Sequence, residues 1–186
     1  MRNLLFILLI SASLQGCFPV VAAGTGAGIL MGQDRRSGGA YVEDEGIELK
    51  AFDRIGKQYK NAVHVNVTSY NRNVLISGEV PNDAARVQVE FIVSKIQNVG
   101  KIYNELVIAG NSSLASRSND SLITSNVKMR FVGDKRFSAN SIKVVTENGT
   151  VYLMGIVNHA EAANAGESAS ASKGVARVVE LFEYVE

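Results

Sequence analysis

One thiol, Cys17, and two imidazoles, His64 and His159, are the side chains in this 186-residue chain best suited to covalent or metal chemistry. A zinc centre draws three or four ligands from residues at short, characteristic spacings. Neither histidine has another His or Cys at such a spacing. His64 falls in a strand-like segment and His159 beside an expected helix start, so a structural or solvated role is expected of both. Ser112, Ser113, Ser116, Ser118, Ser168, Ser170 and Ser172 lie in small-residue stretches. None sits in the Gly-x-Ser-x-Gly turn that exposes a nucleophile. Acidic residues alternate with lysines and arginines, as on a solvated surface. The glycines between Val20 and Gly39 precede no Gly-Lys-Ser/Thr, so they form no phosphate loop. No catalytic residue, metal or cofactor is expected, and the chain is not expected to be an enzyme.

What remains is the chemistry of Cys17 itself. Arg2, the apolar run Leu4 to Ile10 and the small residues before Cys17 have the form of a secretory signal. The apolar run is well short of the roughly 18 residues that span a membrane. Leu14-Gln15-Gly16-Cys17 resembles the lipobox cut by the bacterial lipoprotein signal peptidase. Cleavage after Gly16 and lipid attachment at Cys17 are therefore expected; the alternative is an ordinary signal with a chance cysteine. Each buried methylene contributes about 0.8 kcal/mol, so two or more acyl chains hold firmly where one does not. Phe18 stands where an aspartate would resemble an inner-membrane retention signal. The expected location is the periplasmic face of the outer membrane.

Removing residues 1–16 takes away one arginine and leaves 18 basic against 18 acidic residues. Such balance argues against nucleic acid, which would require a basic stripe. Residues 17–43, rich in Gly and Ala without periodicity, are expected to be a lipidated, flexible tether.

The rest of the chain repeats itself. Val63 to Val67 and Val74 to Val80 superpose on Asn140 to Val144 and Val151 to Val157 at an offset of 77. Asp44, Ile47, Ala51 and Ile55 correspond to Asp120, Ile123, Val127 and Phe131 at an offset of 76. Each copy has the pattern helix, strand, strand, helix, strand. Val63, Val65, Val67, Val74 and Ile76 alternate with polar neighbours as half-buried strands do. Asn148-Gly149 is a strong hairpin turn, because both residues tolerate positive φ; Asn71-Arg72-Asn73 holds the same place in the first copy. Ala85, Val89, Ile92, Ile96 and Val99 form one helical face. Asn158 with Glu161 has the form of a capping box. Gly78 and Gly155 end matching strands, where close backbone approach or a bulge would exclude a side chain. The polar residues 110–119 are expected to link copies spanning 44–109 and 120–186. Units of this size bury only about 60% of their unfolded surface, so docking of the copies is expected.

Two such units, each with an apolar strand closing on Gly-x-Val, resemble the BON domain. Val144 to Gly155 is especially similar. With the lipobox and tether, the whole chain resembles the dual-BON-domain outer-membrane lipoproteins of Gram-negative bacteria. The resemblance implies an α+β fold of two tandem domains, each with two helices on a small three-stranded mixed sheet. It also implies a non-enzymatic protein that supports outer-membrane integrity, binds anionic phospholipid, chiefly phosphatidylglycerol, and concentrates at the division site. In that family the lipid surface is the first helix of the second domain, which begins here at Asp120-Ser121-Leu122-Ile123. Leu122 departs from the aromatic residue that some members carry there.

Helical geometry supports the same surface independently. At 100° per residue, Ile123, Val127 and Phe131 form the stripe facing the sheet. Leu122, Ser125, Met129 and Val132 then point outward, with Asn126 and Lys128 at the edges. Apolar residues beside cations suit an interfacial helix. The matching face of the first copy, Gly46, Leu49, Asp53 and Gly56, is neither apolar nor basic. The alternative is that Leu122, Met129 and Val132 pack on the first domain, or that the helix docks on an envelope protein.

Overall fold

A computed structural model describes residues 34–185. Cys17, the signal segment and the tether before Asp34 lie outside the described residues. Eleven elements follow in order. α1 (Gly38–Tyr59), β1 (His64–Tyr70), β2 (Asn73–Val80), α2 (Asp83–Ser94) and β3 (Ile102–Ile108) make the first domain. α3 (Leu114–Gly133), a 3-10 turn (Ala139–Ser141), β4 (Ile142–Glu147), β5 (Thr150–Val157), α4 (His159–Ser170) and β6 (Arg177–Tyr184) make the second.

Both sheets have the same mixed topology. The first two strands pair antiparallel and the third joins the second in parallel, after a helical crossover. Stereochemistry at the turns explains the hairpins. Asn71 and Arg72 have φ of 49° and 68°, and Asn148 and Gly149 have φ of 48° and 72°. Positive φ at both central residues gives the turn whose twist matches the flanking strands. Asn158 and Glu161 form the reciprocal capping box that starts α4.

Three apolar clusters hold the molecule. One packs α1 and α2 on the first sheet through Ile47, Ile55, Ile76, Val89 and Leu106. Its counterpart packs α3 and α4 on the second through Ile123, Phe131, Leu153, Ala165 and Phe182. The third joins the domains: Tyr70 and Leu75 of the first sheet meet Tyr152, Met154 and Leu181 of the second. The sheets therefore pack on each other, with the helices on their outer faces. Among the described residues, the buried members of all three clusters lie between Ile47 and Phe182.

This arrangement corrects several expectations. Residues Val74 to Val80 are all buried, not alternately exposed. β2 is the central strand, and the other domain covers the face that the pattern assigned to solvent. α2 ends at Ser94, so Ile96 and Val99 leave the helical face although Ile96 stays buried. α1 begins at Gly38, inside the expected tether, because the Ser37 hydroxyl accepts from Ala40 N. α3 likewise begins at Leu114, inside the expected linker, capped by Ser113. Not all carboxylates are solvated: Asp44, Glu79, Asp120 and Glu147 are buried. Asp44 accepts from Asn71 N and Arg72 N, and Asp120 accepts from Asn148 N and Gly149 N. In each domain, one buried aspartate on the first helix thus satisfies the hairpin turn.

Gly78 and Gly155 sit where backbones approach closely. A Cβ on Gly78 would lie 2.1 Å from His64 O, and one on Gly155 would lie 2.6 Å from Ser141 O.

Candidate functional site

The buried stripe of α3 comprises Asp120, Ile123, Val127 and Phe131. Phe131 meets the Phe137 ring edge-on at 4.9 Å, so the helix cannot roll without breaking the core. That orientation fixes the opposite face. Leu114, Leu122, Met129 and Val132 are 80%, 64%, 71% and 78% exposed, so they do not pack on the first domain. Ser125 and Lys128 are exposed beside them, and Asn126 is half-buried with its amide on Lys173 O at 3.4 Å. Leu114 lies two turns before Leu122 on the same side. Its i, i+8 spacing was a usable signal, but the small polar residues around it read as linker.

Two features make this face compatible with an apolar phase. The Ser121 and Ser125 hydroxyls donate to the carbonyls one turn back, Arg117 O at 3.0 Å and Ser121 O at 2.9 Å. Their polarity is thereby satisfied within the helix. Lys128, Arg130 and Lys135 enter no ion pair among the described residues. Arg136, in contrast, bridges Asp134 at 2.8 Å and Glu167 at 2.7 Å. The Arg136 guanidinium holds the Asp134 carboxyl down at about 2, so this pair is neutralised locally. Three cations therefore remain available around the apolar stripe. Beside Val132, a cleft of about 330 Å³ is lined by Lys128, Arg36, Lys143 and Asn140. Arg36 and Lys143 are committed to Asp34, Asp44 and Glu48, while Lys128 is not.

The matching helix is less bare than its sequence implied. On α1, Leu49 is 68% and Phe52 is 78% exposed, and Val42 is exposed as well. Phe52 lies just off the face formed by Gly46, Leu49, Asp53 and Gly56, which is why a four-residue stripe missed it. Its surroundings differ from those on α3: Glu45 and Asp53 are exposed on this side, and Lys57 bonds Asp53 at 2.6 Å.

The histidines are also placed. His159 stacks on Tyr184 with ring centroids 4.3 Å apart. His64 lies in the seam between the sheets, 2.8 Å from Glu79. No helix among the described residues is long and apolar enough to cross a membrane.

Known proteins frame this geometry. The outer membrane lipoprotein DolP of Haemophilus influenzae is 34% identical over 188 aligned residues, covering 100% of this chain and 97% of that protein. A 21 kDa hemolysin of Actinobacillus pleuropneumoniae is 33% identical, covering 82% of this chain and 80% of its own. Among solved structures, CdsD of the Chlamydia trachomatis type III secretion system is 13% identical. It covers 74% of this chain and 91% of that one, with a TM-score of 0.31, too slight a likeness to bear on function. The BON domain family matches residues 43–110 and again 119–186. With two tandem helix-strand-strand-helix-strand units and these two matches, the chain belongs to the BON domain family.

Proposed function

We propose that this chain is an outer-membrane lipoprotein, held by acylated Cys17, whose second BON domain lays the outward face of α3 on anionic phospholipid. Phosphatidylglycerol is the ligand we assign, and support of outer-membrane integrity the role. One observation carries the reading: Leu114, Leu122, Met129 and Val132 are exposed together, beside three cations without carboxylate partners among the described residues. Withdrawing a Leu or Met side chain from water contributes about 1.5–3 kcal/mol. Each cation near an anionic surface adds about 1 kcal/mol. Such binding is weak alone, and a lipid anchor raises the local concentration to about millimolar.

Co-sedimentation of residues 18–186 with phosphatidylglycerol vesicles tests this, with circular dichroism confirming the fold. Leu122→Glu and Met129→Glu should each weaken binding by at least about tenfold, since each removes an apolar contact and adds like charge. Lys128→Glu should weaken it in a salt-dependent way. Phe52→Glu and Leu49→Glu should have little effect, because the exposed Glu45 carboxylate, which enters no ion pair among the described residues, already repels an anionic surface. Equal losses from both helices would sink the assignment to the second domain.

A second reading, an adaptor docking on an envelope protein, is favoured by Leu49 and Phe52, exposed on a helix whose flanking charges are of both signs. That face suits a protein better than an anionic bilayer. Binding to vesicles that ignores all three α3 substitutions would put this reading first.

Anchoring has its own test. Cys17→Ala should abolish acyl labelling and release the chain from the outer-membrane fraction. A product still acylated and membrane-bound would refute attachment at Cys17.

A further inference from the structure

The seam between the sheets brings together three side chains that the sequence keeps far apart. His64 and Glu79 face one another as register partners of β1 and β2. Glu147, the last residue of β4, approaches from the other domain. His64 Nδ1 lies 2.8 Å from Glu79 Oε2 and 3.7 Å from Glu147 Oε1. One donor atom from each of the three lies within 4.8 Å of the others. Ligands bound 2.0–2.1 Å from a tetrahedral ion stand roughly 3.3 Å apart, so small side-chain rotations would centre all three on one ion.

Charge balance points to a cation. The Glu79 and Glu147 side chains are 3% and 6% exposed. Among the described residues, neither has a lysine or arginine within ion-pair distance, and His64 is the one basic group in reach. Arg117 bonds Ser112 rather than either carboxylate. The contacts that orient these carboxylates are otherwise neutral. Glu79 accepts from Ser112 N at 3.1 Å and Asn148 Nδ2 at 2.5 Å, and Glu147 accepts from Asn66 Nδ2 at 2.9 Å. Amide dipoles do not cancel two charges at this depth. The imbalance falls on Glu147, where burial pushes the carboxyl up. Ser77, two residues before Glu79 on the same face of β2, adds a fully buried hydroxyl with no partner among the described residues. The polar groups of the seam are thus not balanced among the described residues.

We propose that His64, Glu79 and Glu147 form a site for a divalent transition-metal ion of the zinc class, joining the two BON domains. A doubly charged ion with two carboxylates and a neutral imidazole sums to zero. It would take the place of the Nδ1 proton, which leaves to solvent. An imidazole ligand selects zinc-like ions over magnesium and calcium, which prefer all-oxygen shells. Three protein ligands leave one position for water, and His64, 13% exposed, provides the side open to solvent. An ion held from both sheets would fix how the domains dock, and with that the relative orientation of α1 and α3.

Residues 18–186 retain all three apolar clusters and lack the Cys17 thiol, which would compete for the metal. Zinc chloride titrated into this chain by calorimetry at neutral pH should bind with one-to-one stoichiometry and raise the unfolding temperature, whereas magnesium should do neither. Cobalt should give the visible absorption of a nitrogen-and-oxygen site, displaced by zinc. His64→Gln and Glu147→Gln should each lose at least about tenfold in zinc affinity, and His159→Gln should lose none. Absence of zinc binding and of a cobalt spectrum in the unsubstituted chain would overturn the proposal. So would equal binding of magnesium, or loss with His159→Gln but not His64→Gln. If a seam variant fails to fold, the cobalt spectrum of the unsubstituted chain decides alone.

Discussion

Substituting valine for Gly78 should destabilise the first domain by about 3 kcal/mol or more, and valine for Gly155 should destabilise the second by about 1–3 kcal/mol. Both glycines lack room for a Cβ, which would meet a backbone oxygen at 2.1 Å and 2.6 Å respectively. The obstacle is backbone in both cases, so rotation of a side chain cannot relieve it. Gly78 carries a further penalty. Its φ of +115° is closed to a β-branched residue, whereas Gly155 has no such constraint. Thermal unfolding would read the difference, since each kcal/mol shifts the midpoint by about 4–8 °C in a domain of this size. Amide exchange would place the loss, with β1 to β3 opening first for Gly78→Val. A smaller effect at Gly78 than at Gly155 would mean that the positive φ costs the first domain little.

Asp44→Ala should be more costly still, and Asp120→Ala somewhat less. Asp120 satisfies the N–H groups of Asn148 and Gly149, so its removal leaves two donors without an acceptor. An unsatisfied buried donor costs about 1–3 kcal/mol, which puts Asp120→Ala at roughly 2–5 kcal/mol. Asp44 serves Asn71 N and Arg72 N, and also Ser69 Oγ at 2.6 Å and the Arg36 guanidinium at 2.9 Å. Its loss removes one of the two carboxylates that pair with the nearly buried Arg36 guanidinium, leaving Asp34, and leaves the turn donors unsatisfied as well. Denaturant titration of both variants would measure this. An Asp44→Ala protein as stable as the unsubstituted chain would show that water replaces the carboxylate at the turn.

The amino-acid sequence by itself determined whatever depends on neighbours within a few residues. The hairpin at Asn148-Gly149 follows from residues that tolerate positive φ, that at Asn71-Arg72 from its matching place in the repeat, and the start of α4 from the Asn158 and Glu161 cap. The duplicated order of elements follows from matching residues at offsets of 76 and 77. The outward set Leu122, Met129 and Val132 was legible because helical periodicity separates it from Ile123, Val127 and Phe131. Only tertiary structure decided what covers the second face of each sheet. The inner faces carry Leu75, Ser77 and Glu79 opposite Tyr152 and Met154, a mixture that reads equally well as solvated. Burial of Asp44, Glu79, Asp120 and Glu147 is likewise set by turns and strands distant in sequence, which spacing along the chain does not encode. The same holds for the convergence of His64, Glu79 and Glu147 on one point, because it requires two separately folded sheets to meet.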